Sequence, residues 1–90
     1  MKIIRKYSFD INSEFGIYLP EGAEILTAQV EDGQACIFAL TNELFTKTVM
    51  RKLRFIESSE LIEPTEKLKY ITTLQVSDST GIVHLFEKLN

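Results

Sequence analysis

The dipeptide Asp32-Gly33 separates two runs, "EILTAQVE" and "QACIFALT", that alternate from one side of a strand to the other. A two-residue Asp-Gly link between alternating runs is the hairpin turn whose backbone twist matches the strands it joins. Pairing Glu31 with Gln34 then sets the register. Leu26, Ala28 and Val30 share a face with Ala35, Ile37 and Ala39, while Ile25, Thr27, Cys36, Phe38 and Leu40 share the other. Both faces are partly apolar, so this hairpin is expected to lie centrally and to be covered on both sides.

The same period of two runs through the rest of the chain. In "KIIRKYSFDI" the residues Ile3, Tyr7, Phe9 and Ile11 share a face with Arg5, and Lys2, Lys6, Ser8 and Asp10 fall on the other. Phe15, Ile17 and Leu19 alternate with Gly16 and Tyr18 until Pro20, which has no N–H for a ladder and ends the run. "NELFTK" is long enough for one helical turn capped by Asn42 and for no more. "TVMRKLRFIE" returns to alternation, with Val49, Arg51, Leu53 and Phe55 against Met50, Lys52, Arg54 and Ile56. "SSELIEPTE" is acidic, contains Pro64 and reads as a surface loop. "KLKYITTLQV" and "IVHLFEK" supply two last strands around "SDSTG". About seven strands and little helix predict an all-β fold, a small antiparallel sandwich or barrel formed by one domain over residues 1–90.

Ninety residues bury only about 60 to 65 per cent of the surface that the unfolded chain exposes, a deficit that oligomers commonly repair, so a homo-oligomer is expected. A formal charge of −3 gives no global attraction to duplex nucleic acid or to an anionic membrane. The single Cys36 has no disulfide partner and reads as a small buried hydrophobe in a reducing compartment; one Cys and one distant His write no zinc site. No apolar run approaches the roughly 20 residues of a membrane span, and a cytoplasmic protein is expected. Gly16, Gly22, Gly33 and Gly81 are too scattered for a phosphate-cradling loop, and no cofactor is expected.

His84, the only histidine, has two possible settings. If Ser77 pairs with Ile82, Leu74 and Val76 face the core with Val83 and Leu85, and Thr73, Gln75, His84 and Phe86 occupy the other face; if Val76 pairs with Ile82, His84 lies opposite Leu74 in the core. The sequence offers no glycine-framed serine, second histidine or activated cysteine, and Glu60, Glu63, Glu66 and Asp78 fall in predicted loops, so catalysis is not expected. Arg5 and Arg51 have apolar neighbours on their strand faces and must be paired, extended outward or bound to an anion. One reading pairs them with Glu14, Glu57 or Glu87. The other makes Arg51, Lys52 and Arg54, with Lys67 and Lys69 on an adjacent strand, a phosphate-binding patch beside stacking surfaces from Tyr7, Tyr70, Phe55 or Phe86. Edge-strand lysines also serve simply to block aggregation.

"LPEGAEILTAQVEDGQACIFAL", then "RKLRFIE", then "KYITTLQV" and "GIVHLFE" together resemble a family of small phage, prophage and bacterial β-rich proteins of uncharacterised function. Its members share a Pro-x-Gly-Ala-x-Ile-Leu start and a final His-x-Phe-Glu. The resemblance spans nearly the whole chain. Where that pattern has a Gly-Thr-Gly type turn after the basic strand, this chain has "ESSE", Glu57 to Glu60, and so lacks the glycines of a backbone anion nest there. The resemblance implies a phage or prophage origin and a role in binding, for example in countering host defence. Two functions are expected from it: sequestration of a phosphate-bearing small molecule such as a cyclic nucleotide signal, with Arg5, Tyr7, Arg51, Arg54, Thr73, Gln75, His84 and Phe86 as ligand contacts, or blockade of a host protein through a strand edge or the acidic loop. A structural accessory role for the phage is the remaining expectation.

Overall fold

The computed structural model of the chain describes residues 1–10, 14–44, 47–75 and 81–90. Expectations that fall on Ile11, on Phe45 and Thr46, or on residues 76–80, including Val76, Ser77 and Asp78, lie outside the described residues. Alternation yields strand wherever it was found: β1 Lys2–Phe9, β2 Glu14–Pro20, β3 Glu24–Glu31, β4 Gln34–Asn42, β5 Thr48–Glu57, β6 Leu68–Gln75 and β7 Ile82–Lys88. They form two antiparallel sheets, one in the order β1-β4-β3 and one in the order β2-β5-β7-β6. The all-β expectation holds, and of its two forms the sandwich is the one realised.

Asp32 and Gly33 have φ of 50° and 78°, the positive values a two-residue hairpin turn requires, and Glu31 pairs with Gln34 as expected. Two features of this hairpin differ from the sequence reading. The ladder shifts between Ile25 and Thr27, so Ile25 pairs with Ala39 and packs on the core, whereas Leu26 is exposed. An extra residue in one strand flips the faces of everything before it, and plain alternation cannot show this. β3 is also an edge strand, so only β4 is central.

The two inner faces meet in one core. Tyr7, Phe9, Ile25, Ala28, Ile37 and Ala39 come from the three-stranded sheet; Phe15, Ile17, Leu19, Leu53, Phe55, Ile71, Leu74, Val83 and Leu85 come from the other. Phe9 stacks on Phe15 with ring centroids 4.7 Å apart, and both lie within 6.0 Å of Phe55, which fastens the two sheets at this end.

The last hairpin follows neither of the two proposed registers. Gln75 pairs with Ile82, Leu74 with Val83 and Thr73 with His84, and a shift between Tyr70 and Thr72 brings Tyr70 opposite Phe86. A displacement of two residues from the first register preserves every face, so His84 lies with Thr73, Gln75 and Phe86 on the outer side of the sheet.

Positive φ also occurs at Ser59, 74°, in the turn where the Glu60 N–H donates to the Glu57 carbonyl at 3.1 Å. A side chain in this left-handed region is strained by about 1–2 kcal/mol, partly offset by the entropy a glycine would lose. Ser59→Gly is therefore expected to raise stability by up to about 1 kcal/mol, and Gly33→Ala, at a φ of 78°, to lower it by about 1–2 kcal/mol. Urea denaturation of the two variants checks the opposite signs.

Candidate functional site

On the outer face of the four-stranded sheet, cross-strand pairing builds two rows, Ile56–His84–Thr73 and Arg54–Phe86–Tyr70. Five of the eight residues expected to contact ligand, Arg54, Thr73, Gln75, His84 and Phe86, collect here. The segment after β5 turns back toward this face and is tied to it by side chains. Arg54 donates from Nη1 to Glu66 Oε2 at 2.6 Å and from Nη2 to Glu60 Oε2 at 3.0 Å, and the Glu57 N–H donates to the other oxygen of Glu60 at 3.2 Å. Charge-assisted bonds of this kind are roughly twice as strong as neutral ones.

His84 sits among three hydroxyls. Its Nε2 is 2.8 Å from Ser58 Oγ and its Nδ1 is 2.9 Å from Thr73 Oγ1, which is itself 2.8 Å from the Tyr70 hydroxyl. Tyr70 meets Phe86 edge-on at 5.5 Å. A hydroxyl either donates or accepts, so this chain satisfies the imidazole in both tautomers and when protonated. The Ser58–His84 contact has the spacing of a nucleophile and its base, but the group on the far nitrogen is the neutral Thr73, which lacks the charge to stabilise an imidazolium. What the chain does is pin the returning loop to β6 and β7.

The other three expected contacts lie elsewhere. Arg51 points into the sandwich, where Nε and Nη2 donate to the Glu87 carboxylate at 2.5 and 3.0 Å and Nη1 donates to the Ala23 carbonyl at 2.8 Å. The carboxylate raises the pKa of this guanidinium further, against the opposite pull of burial. This is the Glu87 bridge offered as the structural reading of Arg51. Arg5 and Tyr7 belong to the other sheet, where Arg5 is exposed and Tyr7 packs on the core. The basic patch is not assembled as expected either: β7 separates β5 from β6, so Lys69 is not on the strand next to Arg54, whose guanidinium is taken up by Glu60 and Glu66. Sequence reasoning missed Ser58 as a partner of His84 and Glu60 and Glu66 as partners of Arg54. The acidic loop following a cationic strand was the available signal for the glutamates; Ser58 left none.

The outer face of the three-stranded sheet carries a shallow cleft of about 270 Å³ lined by Lys6, Ser8, Glu31, Asp32, Gln34 and Cys36. Cys36 is 2 % exposed at its floor, and burial, then the bond to Glu31, pushes its thiol pKa up from the ordinary 9.0. A raised folded-state pKa means stability that is fully present below pH 9 and is lost as pH rises through the folded value. Native protein at pH 7.5 is expected to react with a disulfide reagent at least about tenfold more slowly than protein unfolded in urea, which a thiol-release assay measures.

The fold and this face define a small antiparallel β-sandwich whose outer surface is stiffened by side-chain hydrogen bonds. The chain belongs to the family described as Domain of unknown function (DUF7352), whose model matches residues 1–90. Neither the curated proteins nor the solved structures contain a match.

Proposed function

We propose that this domain works by binding a protein partner through the outer face of its four-stranded sheet, and that its chemistry there is recognition without reaction. The observation that carries this reading is Tyr70, 56 % exposed although held by the Thr73 hydroxyl and by the edge of Phe86. A rigid, half-exposed tyrosine gives a partner a large contact area at small entropic cost, which is why tyrosine is over-represented among interface residues that dominate affinity. Beyond the Thr73–His84 pair, Gln75 and Ile82, the latter 49 % exposed, extend the same face with an amide and apolar surface. The resemblance to small phage and prophage proteins favours a host protein as the partner and its blockade as the result. Tagged protein incubated with bacterial host lysate is expected to retain one stoichiometric partner, and Tyr70→Ala, with an unchanged circular dichroism spectrum, to lose it. Equal retention by both proteins would sink the proposal.

A second reading is favoured by the gathering of Arg54, Thr73, Gln75, His84 and Phe86 on the same face: copies of the chain facing one another across it would enclose a cyclic nucleotide between aromatic, hydroxyl and imidazole groups. Arg54 would have to exchange Glu60 or Glu66 for phosphate. Calorimetry with a panel of cyclic nucleotides, alongside light scattering for the oligomeric mass, separates the readings. Micromolar binding by an oligomer supports the second; a monomer that gives no heat removes it.

A further inference from the structure

Among the described residues, three of the four sheet edges are interrupted by a backbone irregularity or end in proline, and the fourth, β1, is guarded by charge alone. β3 carries the irregularity at Leu26, β6 the one at Ile71, and β2 ends in Pro20. β1 runs from Lys2 to Phe9 in unbroken register with β4. Bulges, prolines and lysines are the usual devices that stop an edge from accepting another strand; β1 has only the lysines, which repel a basic strand and attract an acidic one.

The ladder also fixes which backbone groups β1 offers. The Glu43 N–H donates to the Met1 carbonyl at 3.0 Å, extending the Lys2–Asn42 register by one hydrogen-bonded pair. Such pairs recur at every second residue, so Ile3, Arg5, Tyr7 and Phe9 turn their N–H and C=O groups toward β4. The carbonyls of Ile3 and Phe9 accordingly accept bonds from the β4 side chains Thr41 and Gln34. By the same alternation Lys2, Ile4, Lys6 and Ser8 turn theirs to the open edge.

The occupant is selected by charge. Lys2, Arg5 and Lys6 are all exposed; Lys6 reaches Glu31 only at 3.5 Å, and no ion pair forms at Lys2 or Arg5 among the described residues. A second copy fits poorly. Antiparallel self-pairing must match open positions with open positions; centred on Ile4, Arg5 or Lys6 it sets Lys2 against Lys6, Arg5 against Arg5 or Lys6 against Lys6, and like charges directly opposite are destabilising. We propose that β1 is a docking edge for an extended acidic segment of a partner protein, which adds a fourth strand to this sheet with carboxylates on the face of Lys2 and Lys6 and apolar side chains on the face of Ile3, which is 38 % exposed. This rests on the protein-binding reading for the kind of partner, but it uses a different surface.

The test uses the whole chain and an acetylated, amidated octapeptide of alternating glutamate and valine, with its lysine–valine counterpart and a proline-interrupted glutamate version as controls. The acidic octapeptide is expected to bind at least about tenfold more tightly than the lysine peptide, which sets like charges against Lys2 and Lys6, and than the proline version, which keeps the carboxylates but cannot complete the ladder. Binding is expected to slow amide exchange at Ile4, Lys6 and Ser8. The double variant Lys2→Glu, Lys6→Glu, altered only at exposed side chains, is expected to reverse the preference toward the lysine peptide. Equal affinity for the peptides, protection on β2 or β6 instead of β1, or no binding at millimolar concentration would overturn the proposal. Tyr70→Ala is expected to leave octapeptide binding unchanged, so loss of the lysate partner in that variant reports on the other face alone.

Discussion

Glu87→Ala is expected to cost about 3–5 kcal/mol, because it leaves the Arg51 guanidinium in the sandwich without its counter-charge. The side chains of Arg51 and Glu87 are 20 % and 9 % exposed, so water cannot replace the lost carboxylate without opening the structure. A domain of 90 residues has a total stability of about 5–13 kcal/mol, and the loss therefore takes a large share of it. The paired substitution Arg51→Met, Glu87→Leu removes both charges at similar volume and is expected to be close to neutral, within about 1–2 kcal/mol of the parent. Urea denaturation of the single and double variants decides the matter: a mild single variant would show that the pair is solvated in solution. The outcome also bears on function. If the double variant keeps partner binding, Arg51 serves the fold, and any anion that this protein binds must be held by other residues.

The second large effect is expected at Arg54. Arg54→Ala leaves Glu66, whose side chain is 16 % exposed, without its partner and frees Glu60 from the same fork, at an expected cost of about 2–4 kcal/mol. Part of that cost is the loosening of the loop from Ser58 to Lys67, since the guanidinium holds it at two points while His84 holds it at one. Amide exchange is expected to speed up in this loop and at Ile56, 3 % exposed on the same face of the sheet, with β1 and β4 unaffected. The two functional readings part here. A phosphate-binding Arg54 would show a loss of nucleotide affinity out of proportion to the loss of stability; an Arg54 that only anchors the loop would weaken protein binding in step with loop exchange and would be rescued by Arg54→Lys in part, because lysine keeps the charge but not the fork.

Seven strands, the Asp32-Gly33 turn with its Glu31–Gln34 register and the end of β2 at Pro20 were legible in the amino-acid order, because each follows from local periodicity or backbone chemistry; Glu87 was only one of three carboxylates offered to Arg51, itself expected to contact a ligand. The face occupied by His84 was legible only as one of two alternatives. The choice between them rests on whether the hairpin is displaced by an even or an odd number of residues, which composition does not record; the bulge at Ile71 then brings Tyr70 opposite Phe86. The same holds for Ile25 and Leu26, whose exchange of faces takes one inserted residue. Strand order was beyond reach as well. Alternation states that a segment is a strand with one buried side, but not which strand lies next to it, so the sequence could not show that β7 lies between the strands of Arg54 and Lys69 or that the carboxylates of Glu60 and Glu66 return to Arg54. Period-two hydrophobicity is a property of neighbours along the chain and determined the all-β class by itself; which cations remain open at β1 and which are neutralised depended on contacts between residues far apart, and only the packed sandwich decided them.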